Sequence, residues 1–292
     1  MKTYKNLYKQ LLSKDYIKRV IIESLKRKKY SRRVMGKLDY YTDYIYESLA
    51  NKTYSMKETK TIIIHDRKKD RNITLSPYFP NKIYDYLLTS LLKPIIRKSM
   101  FYWCVGNVKG KGKDIAVKYV YRQFKKNKYL VQLDIKKFYD SINKFKLFEV
   151  ISKKIADKDL LEFYKTVVGI DGKGISLGLN SSQWLANYFL QELDYYIKQE
   201  LKIKCYCRYV DNIVIGSNNK MRLEFYIRQI NTYLKKLDLS IKPNWYISDT
   251  QITFLGYRIT KHDIKLDKTL FHKLCRLWKR MKKNRSRKRA KT

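Results

Sequence analysis

Two aspartates, Asp134 and Asp211, lie where apolar runs end, and such carboxylates can bind catalytic metal ions. Asp134 ends an apolar run at 129–133, and Asp211 lies 77 residues later between two further apolar runs. This spacing predicts a strand before Asp134 and a hairpin with Asp211 at its tip. Two carboxylates on adjacent strands can hold two Mg²⁺ ions about 3.5–4 Å apart, and such a pair of ions supports phosphoryl transfer. The neutral residue Asn212 follows Asp211.

The composition indicates a globular protein with a polyanionic partner. The 292 residues are 44% apolar, and 66 Lys and Arg against 26 Asp and Glu give a net charge of +40. That charge is strongly self-repulsive unless nucleic acid neutralises it. No apolar run approaches the roughly 18 residues that span a membrane, and the N-terminus lacks a signal-peptide core, so we expect a cytoplasmic protein without a membrane partner. The four Cys and three His do not cluster in sequence, which argues against a zinc site.

The periodicity of the apolar residues predicts a mixed order of helices and strands. The predicted elements, in chain order, are helices at 1–60, a basic hairpin with strands at 61–65 and 73–75, helices at 81–100 and 114–126, a strand at 128–135, a helical stretch at 144–168, a helix at 183–201, strands flanking Asp211, a helix at 221–237, an extended run at 241–247, a strand pair at 252–259 bent at Gly256, and a short helix with a basic tail at 261–292. Ser181 or Ser182 could cap the helix at 183–201. The Gly/Lys loop 106–113 either grips a phosphate backbone or is a flexible connector.

Five short motifs follow one another in the order that characterises the reverse transcriptase family. They resemble motifs A to E of that family and lie at 133–142, 174–187, 209–212, 241–244 and 254–257. The resemblance covers residues 61–259. It implies an α+β right-hand polymerase fold with fingers, an antiparallel-sheet palm and a short basic thumb. The domains it implies are an N-terminal helical section at 1–60, fingers at 61–127, the palm at 128–259, and a short thumb with a basic tail at 260–292.

The resemblance also implies roles for individual residues. Asp134 and Asp211 would ligate two Mg²⁺ ions, or Mn²⁺, together with the carbonyl group of Ile135, and Asn212 is a further candidate ligand. Tyr139 would be the bulky residue that excludes a ribose 2′-hydroxyl, or else an ordinary core tyrosine. The other residues implied are Arg71 at the incoming triphosphate, Lys69 either beside it or solvated, Leu177 and Gly178 at the nucleotide, Phe254, Leu255, Gly256 and Tyr257 in the primer grip, and Ser182, Gln183 and Lys242 in motifs B and D.

Three features depart from the common pattern of the family. Leu177 replaces the usual Gln of motif B, and Ser182-Gln183 replaces Ser-Pro. Both resemble the reverse transcriptases of bacterial and phage diversity-generating retroelements. That resemblance implies low fidelity, because losing a side-chain hydrogen bond that monitors the nucleotide lowers the cost of mispairing. Asn212 stands where the family has a second aspartate, so we expect weaker metal binding and an altered Mg²⁺ or Mn²⁺ optimum, with activity retained.

By this resemblance we expect an RNA-directed DNA polymerase of a diversity-generating retroelement in a bacterial cell. Its partners would be an RNA template, a DNA or RNA primer and deoxynucleoside triphosphates. The family further implies a small, basic, helical accessory protein that forms an oligomer. The alternatives are a phage-defence reverse transcriptase and a catalytically inactive RNA-binding protein, which Asn212 and the charge of +40 would favour. A third alternative, an RNA-templated RNA polymerase, is disfavoured by Tyr139.

Overall fold

The chain divides into two compact units. The computed structural model describes residues 3–66 and 69–289, apart from the side chains of residues 65–72 and 283–289. The first unit contains Met1–Phe101, Lys136–Glu192 and Leu234–Leu239, and the second contains Tyr102–Ile135, Leu193–Tyr233 and Ser240–Thr292. In the described parts of the chain, no helix combines the length and the apolar character needed to cross a bilayer. The boundaries of fingers, palm and thumb stay a prediction.

All the strands in the described residues pair antiparallel. They are β1 (Lys60–Asp66), β2 (Lys69–Leu75), β3 (Tyr129–Asp134), β4 (Cys205–Tyr209), β5 (Asn212–Ser217), β6 (Ile247–Ser248), β7 (Gln251–Phe254), β8 (Tyr257–Thr260) and β9 (Ile264–Leu266). In the first unit, β1 and β2 form the predicted basic hairpin. In the second unit, one sheet has the order β4-β5-β3-β6 and the other the order β7-β8-β9. The strands predicted around Asp134, Asp211 and Gly256 are therefore confirmed.

Helices make up most of the remaining structure. They are α1 (Lys14–Ser24), α2 (Ser31–Met35), α3 (Leu38–Ala50), α4 (Ile83–Ser99), α5 (Lys113–Lys126), α6 (Phe138–Ser141), α7 (Lys144–Ser152), α8 (Lys158–Val168), α9 (Asn180–Phe189), α10 (Gln191–Tyr195), α11 (Lys220–Lys236) and α12 (Lys268–Arg289). A 3₁₀ helix at Tyr8–Leu12 and π-helical turns at Tyr78–Lys82 and Tyr196–Glu200 complete the set found in the described residues. The single helix predicted at 183–201 is instead α9, α10 and a π-helical turn.

The core of the second unit forms around the sheet that holds β3 and β5. Apolar residues recur every three or four positions along α5, so one face of this helix is apolar and packs on the unit's strands. The fully buried side chains of this cluster include Val105, Ala116, Val120, Phe124, Leu130, Cys207, Phe254 and Ile259. Burial of a large apolar side chain stabilises a fold by about 1.5–3 kcal/mol. The cluster therefore fixes the strands that carry Asp134 and flank Asp211.

In the first unit, α9 begins at the carboxylate of Asp85, which lies in the first turn of α4. Asp85 is 1% exposed and accepts hydrogen bonds from the backbone N–H of Asn180 at 2.6 Å and of Ser181 at 3.1 Å. Burial raises the pKa of Asp85, and these N–H groups oppose that shift because they bind its charged form. The prediction that Ser181 or Ser182 caps this helix is wrong, because α9 begins at Asn180 and both serines lie inside its first turn.

The C-terminal segment is more regular than predicted. The sequence predicted a short helix and a tail at 261–292, whereas the structure has β9 followed by the 22-residue helix α12. Lys and Arg are good helix formers, and no Gly or Pro follows Gly256, so nothing local interrupts the helix. Large apolar side chains stay exposed along it, namely Phe271, Leu274, Leu277, Trp278 and Met281.

Candidate active site

The two predicted carboxylates meet at one end of the β4-β5-β3-β6 sheet. Asp134 is the last residue of β3 and pairs across the sheet with Asn212, the first residue of β5. Asp211 immediately precedes Asn212, and its carbonyl oxygen accepts a hydrogen bond from the backbone N–H of Ile135 at 3.3 Å. The register of β3 and β5 therefore brings together residues that are 77 positions apart in sequence.

Lys242 binds Asp134 through both its main chain and its side chain. Its backbone N–H donates to the Asp134 carbonyl oxygen at 2.8 Å, and its Nζ lies 2.6 Å from Asp134 Oδ2. Both side chains are about three-quarters buried, with 25% and 28% of their surface exposed. The lysine predicted in motif D therefore places a positive charge directly on one of the two carboxylates.

Asp211 lies in an environment that disfavours its charge. Burial, and then the negative charge of Asp134, raise the pKa of the Asp211 carboxyl group above its ordinary value. Lys242 and the side chain of Asn212 oppose this shift. Two carboxylates that share one partly buried site repel each other, and a bound cation would relieve this repulsion.

The carboxylate pair suits a hard divalent cation. Its donors are oxygen atoms, which Mg²⁺ and Mn²⁺ prefer. Oδ1 of Asp134 is buried and has no hydrogen-bond partner among the described residues, so a cation there would satisfy an otherwise orphaned acceptor. No cluster of three or more acidic, His or Cys side chains fit for a metal occurs in residues 3–66 or 69–289. With two carboxylates, further coordination positions would fall to water or substrate phosphates, as is usual for Mg²⁺.

The turn that carries Asp211 contains a residue in an unusual backbone conformation. Val210 and Asp211 connect β4 to β5, and Val210 has φ +59°. Two-residue hairpin turns need positive φ, but they favour Gly, Asn or Asp there, and the conformation is costly for a β-branched residue. The carbonyl oxygen of Val210 accepts a hydrogen bond from Arg208 Nη1 at 2.9 Å. This contact holds the strained turn in place.

Arg208 is itself anchored by a fully buried ion pair. Its Nε and Nη2 donate to the two carboxylate oxygens of Asp194, each at 2.6 Å, and both side chains are 0% exposed. The Tyr206 hydroxyl also donates to Asp194. None of these contacts was predicted from the sequence. The signal for them was an arginine among the apolar residues of a predicted strand, because a buried charge needs a partner.

The backbone at Gly106 packs against the same turn. A Cβ atom at this position would lie 2.7 Å from both the nitrogen and the Cγ2 of Val210, which is closer than side chains approach. Only glycine fits here, so Gly106 has a packing role. Neither prediction for the loop 106–113, phosphate gripping or flexible connection, included this role.

The predicted primer-grip residues lie in the other sheet of the second unit. Phe254 ends β7 and is fully buried, and Tyr257 begins β8. Leu255 and Gly256 form the turn between them with φ of +52° and +84°. Positive φ at both turn residues matches the twist of a tight hairpin. The Nζ of Lys113 lies 4.6 Å from the centre of the Tyr257 ring, so a cation flanks this hairpin.

In the first unit, the predicted motif B residues Leu177 and Gly178 lie beside β2. The backbone N–H of Thr74 donates to the Leu177 carbonyl oxygen at 3.2 Å, and a Cβ at Gly178 would collide with the Thr74 carbonyl. Ser182 is buried within α9, whereas Gln183 is exposed. Glycine at 178 is therefore required by the approach of β2 to this loop.

Tyr139 also lies in the first unit, in the short helix α6. Its ring is half-buried, with its centre 5.6 Å from that of Phe138, and its carbonyl oxygen accepts a hydrogen bond from the N–H of Ile175 at 2.9 Å. Arg71 and Lys69 belong to the backbone of β2, but their side chains lie outside the described residues. The roles predicted for these three residues stay predictions.

Comparisons with known proteins agree on one family. The profile of the family described as "Reverse transcriptase (RNA-dependent DNA polymerase)" matches residues 56–259. Among curated proteins, the Retron Ec73 reverse transcriptase of Escherichia coli is 30% identical over 133 residues, which is 41% of this chain and 42% of that protein. The match thus spans less than half the length of this relative.

Solved structures with the same fold include fungal telomerases. Apo telomerase from Candida tropicalis, truncated from its C-terminal domain, superposes with a TM-score of 0.53 at 17% identity, over 72% of this chain and 55% of that one. Telomerase from Candida albicans in complex with a TWJ fragment of telomeric RNA gives a TM-score of 0.54 at 12% identity, over 79% and 50% of the two chains. This likeness confirms the predicted α+β, right-hand polymerase fold.

Proposed function

Because the chain belongs to the reverse transcriptase family, we propose that it is an RNA-directed DNA polymerase that adds deoxynucleotides to a primer. The observation that carries this proposal is the pairing of β3 with β5, which sets Asp134 beside Asp211. The orphaned Oδ1 of Asp134 and the raised pKa of Asp211 both fit residues that bind a cation. A nucleic-acid substrate also fits the net charge of +40.

We propose that Asp134, Asp211 and the carbonyl group of Ile135 hold two Mg²⁺ ions, or Mn²⁺. When bound, these ions would lower the pKa of the primer 3′-hydroxyl and stabilise the charge of the leaving pyrophosphate. The roles of the protein are to place the two carboxylates through the β3–β5 register and to hold the Val210 turn through Arg208. Lys242 neutralises Asp134 when no cation is present.

The proposed substrate contacts are assigned within each unit separately. In the first unit, we assign Tyr139 to exclusion of ribonucleotides, Arg71 and Lys69 to the incoming triphosphate, and Leu177, Gly178, Ser182 and Gln183 to the nucleotide site. In the second unit, we assign the β7–β8 hairpin to the primer. The partners are then an RNA template, a DNA or RNA primer, and deoxynucleoside triphosphates.

The biological setting that we propose is the cytoplasm of a bacterial cell. Leu177 and Ser182-Gln183 favour a low-fidelity enzyme of a diversity-generating retroelement, with a small basic accessory protein as partner. The similarity to the Retron Ec73 reverse transcriptase favours a different setting, a retron-type enzyme. Copying of a mixed-sequence RNA, followed by sequencing of the products, separates the two: errors concentrated at template adenines support the retroelement.

The catalytic proposal is tested by primer extension on an RNA template. We expect extension with deoxynucleotides in Mg²⁺ or Mn²⁺, and loss of it in Asp134→Ala and in Asp211→Ala. Asp249→Ala is the matched control, because this aspartate is exposed in the turn before β7. An inactive wild-type chain that Asn212→Asp activates would favour the second candidate, an RNA-binding protein with a silent polymerase site.

A further inference from the structure

The side chain of Asn212 is held by hydrogen bonds at both ends of its amide. Its Nδ2 donates to Asp211 Oδ1 at 3.2 Å. Its Oδ1 accepts from the Nε2 of Gln132 at 2.8 Å. All three side chains are partly buried. Asn212 therefore has a defined orientation beside the carboxylate pair.

The chemistry of the partners fixes this orientation. An ionised carboxylate only accepts hydrogen bonds, so the end of the Asn212 amide that faces Asp211 must be its NH₂ group. The carbonyl end then points to Gln132, whose amide nitrogen can donate to it. Gln132 lies two residues before Asp134 on β3, so both side chains project from the same face of the strand. Asn212 pairs directly with Asp134, which puts Gln132 at the diagonal position that a long side chain reaches.

We infer that Gln132 is a positioning residue that keeps Asn212 as a hydrogen-bond donor to Asp211. The inference rests on the proposed function. The Asn212 NH₂ group fixes the rotamer of the Asp211 carboxylate. This positioning compensates in part for the second aspartate of the family motif, which Asn212 replaces. Without Gln132, the Asn212 amide can rotate and this support is lost.

The test measures Mn²⁺ binding to the full chain by electron paramagnetic resonance, together with thermal unfolding in chelator. Gln132→Met keeps the length of the side chain and removes its donor. We expect about three- to tenfold weaker Mn²⁺ binding, the usual effect of one hydrogen bond, with little change in the unfolding midpoint of the metal-free protein. Gln251→Met is the control, because Gln251 is exposed on β7, and it should leave binding unchanged.

A double-mutant cycle separates positioning from a general structural effect. In an Asn212→Ala background, Gln132→Met should no longer weaken Mn²⁺ binding, because the residue through which Gln132 acts is gone. Equal weakening in both backgrounds, or unchanged binding in the single variant, overturns the inference. Failure of the proposed function has a different signature, which is wild-type Mn²⁺ binding that survives both Asp134→Ala and Asp211→Ala.

Discussion

Removal of the Asp194 carboxylate should damage both the fold and the turn that carries Asp211. Asp194→Ala deletes the acceptors of two guanidinium hydrogen bonds at 2.6 Å and of the Tyr206 hydroxyl, while the charge of Arg208 stays fully buried. Loss of one partner of a buried ion pair costs about 3–5 kcal/mol. Since domains are stable by only about 5–15 kcal/mol, we expect a large drop in the free energy of unfolding.

A double variant distinguishes the role of this pair in stability from its role in positioning. Asp194→Leu combined with Arg208→Met leaves no buried charge, and such replacements are often neutral for stability. The Val210 carbonyl oxygen nevertheless loses its hydrogen-bond donor, Arg208. The strained backbone of Val210, with φ of +59°, is then no longer stabilised by this contact. A hydrogen bond from a charged donor contributes about 1.5–3 kcal/mol, which corresponds to about a ten- to hundredfold loss of rate.

The assay compares urea unfolding of the metal-free chain with primer extension on an RNA template. We expect Asp194→Ala to lose both stability and extension. We expect the double variant to recover most of the stability but not the extension, because the Val210 carbonyl still lacks Arg208 and the Tyr206 hydroxyl still lacks Asp194. Asp43→Ala is the control, because its ion pair with Lys14 is about half exposed and should contribute at most about 1 kcal/mol. If the double variant regains both properties, Arg208 supports the fold alone and the positioning argument fails.

Three further predictions concern single residues. Tyr139→Ala should increase ribonucleotide incorporation relative to deoxynucleotides by roughly tenfold, as measured by competitive single-nucleotide extension, and an unchanged ratio would assign Tyr139 to packing alone. Asp211→Asn should stabilise the metal-free protein at neutral pH. Because the pKa of Asp211 is raised in the folded state, the protonated carboxyl group contributes its full stability below about pH 4, the unfolded pKa, and this contribution is lost as the pH rises through the folded pKa. Chemical unfolding in chelator should therefore show a gain in the free energy of unfolding at pH 7 but not at pH 4. Gly106→Ala should reduce extension, because the added Cβ atom would displace Val210. Gly36→Ala is the control and should leave extension unchanged, because its Cβ atom would meet ordinary contacts at 3.8 Å. Equal activity of the two variants would contradict the close packing at Gly106.

Local patterns predicted the parts of this site that depend on neighbours in sequence. Apolar runs ended by Asp134 and Asp211 predicted the strand β3 and the β4–β5 hairpin, and both are present. A strand pair bent at Gly256 was also predicted, and β7 and β8 pair across this bend. Five motifs in order then indicated the family, which the match over residues 56–259 shows.

Contacts between distant residues could not be read from such patterns. Asp85 binds the start of α9 across 95 positions, and a sequence offers no sign of which helix a buried carboxylate will cap. The partner of Arg208 is 14 positions away on another element. Gln132 has no distinguishing feature in the sequence, and only the register of β3 and β5 places it diagonal to Asn212. In each case the three-dimensional packing, and not the local propensity, selects the partner.

The order of the strands in the β4-β5-β3-β6 sheet has a consequence for how the protein folds. β4 and β5 are joined by a two-residue turn and can pair early, whereas β3 joins them only after a long chain segment closes. The repulsion between Asp134 and Asp211 therefore arises late, when β3 docks. Divalent cations that bind Asp134 and Asp211 should slow the undocking of β3 without affecting the hairpin, so the cation of the proposed polymerase site would also stabilise the pairing of β3 with β5.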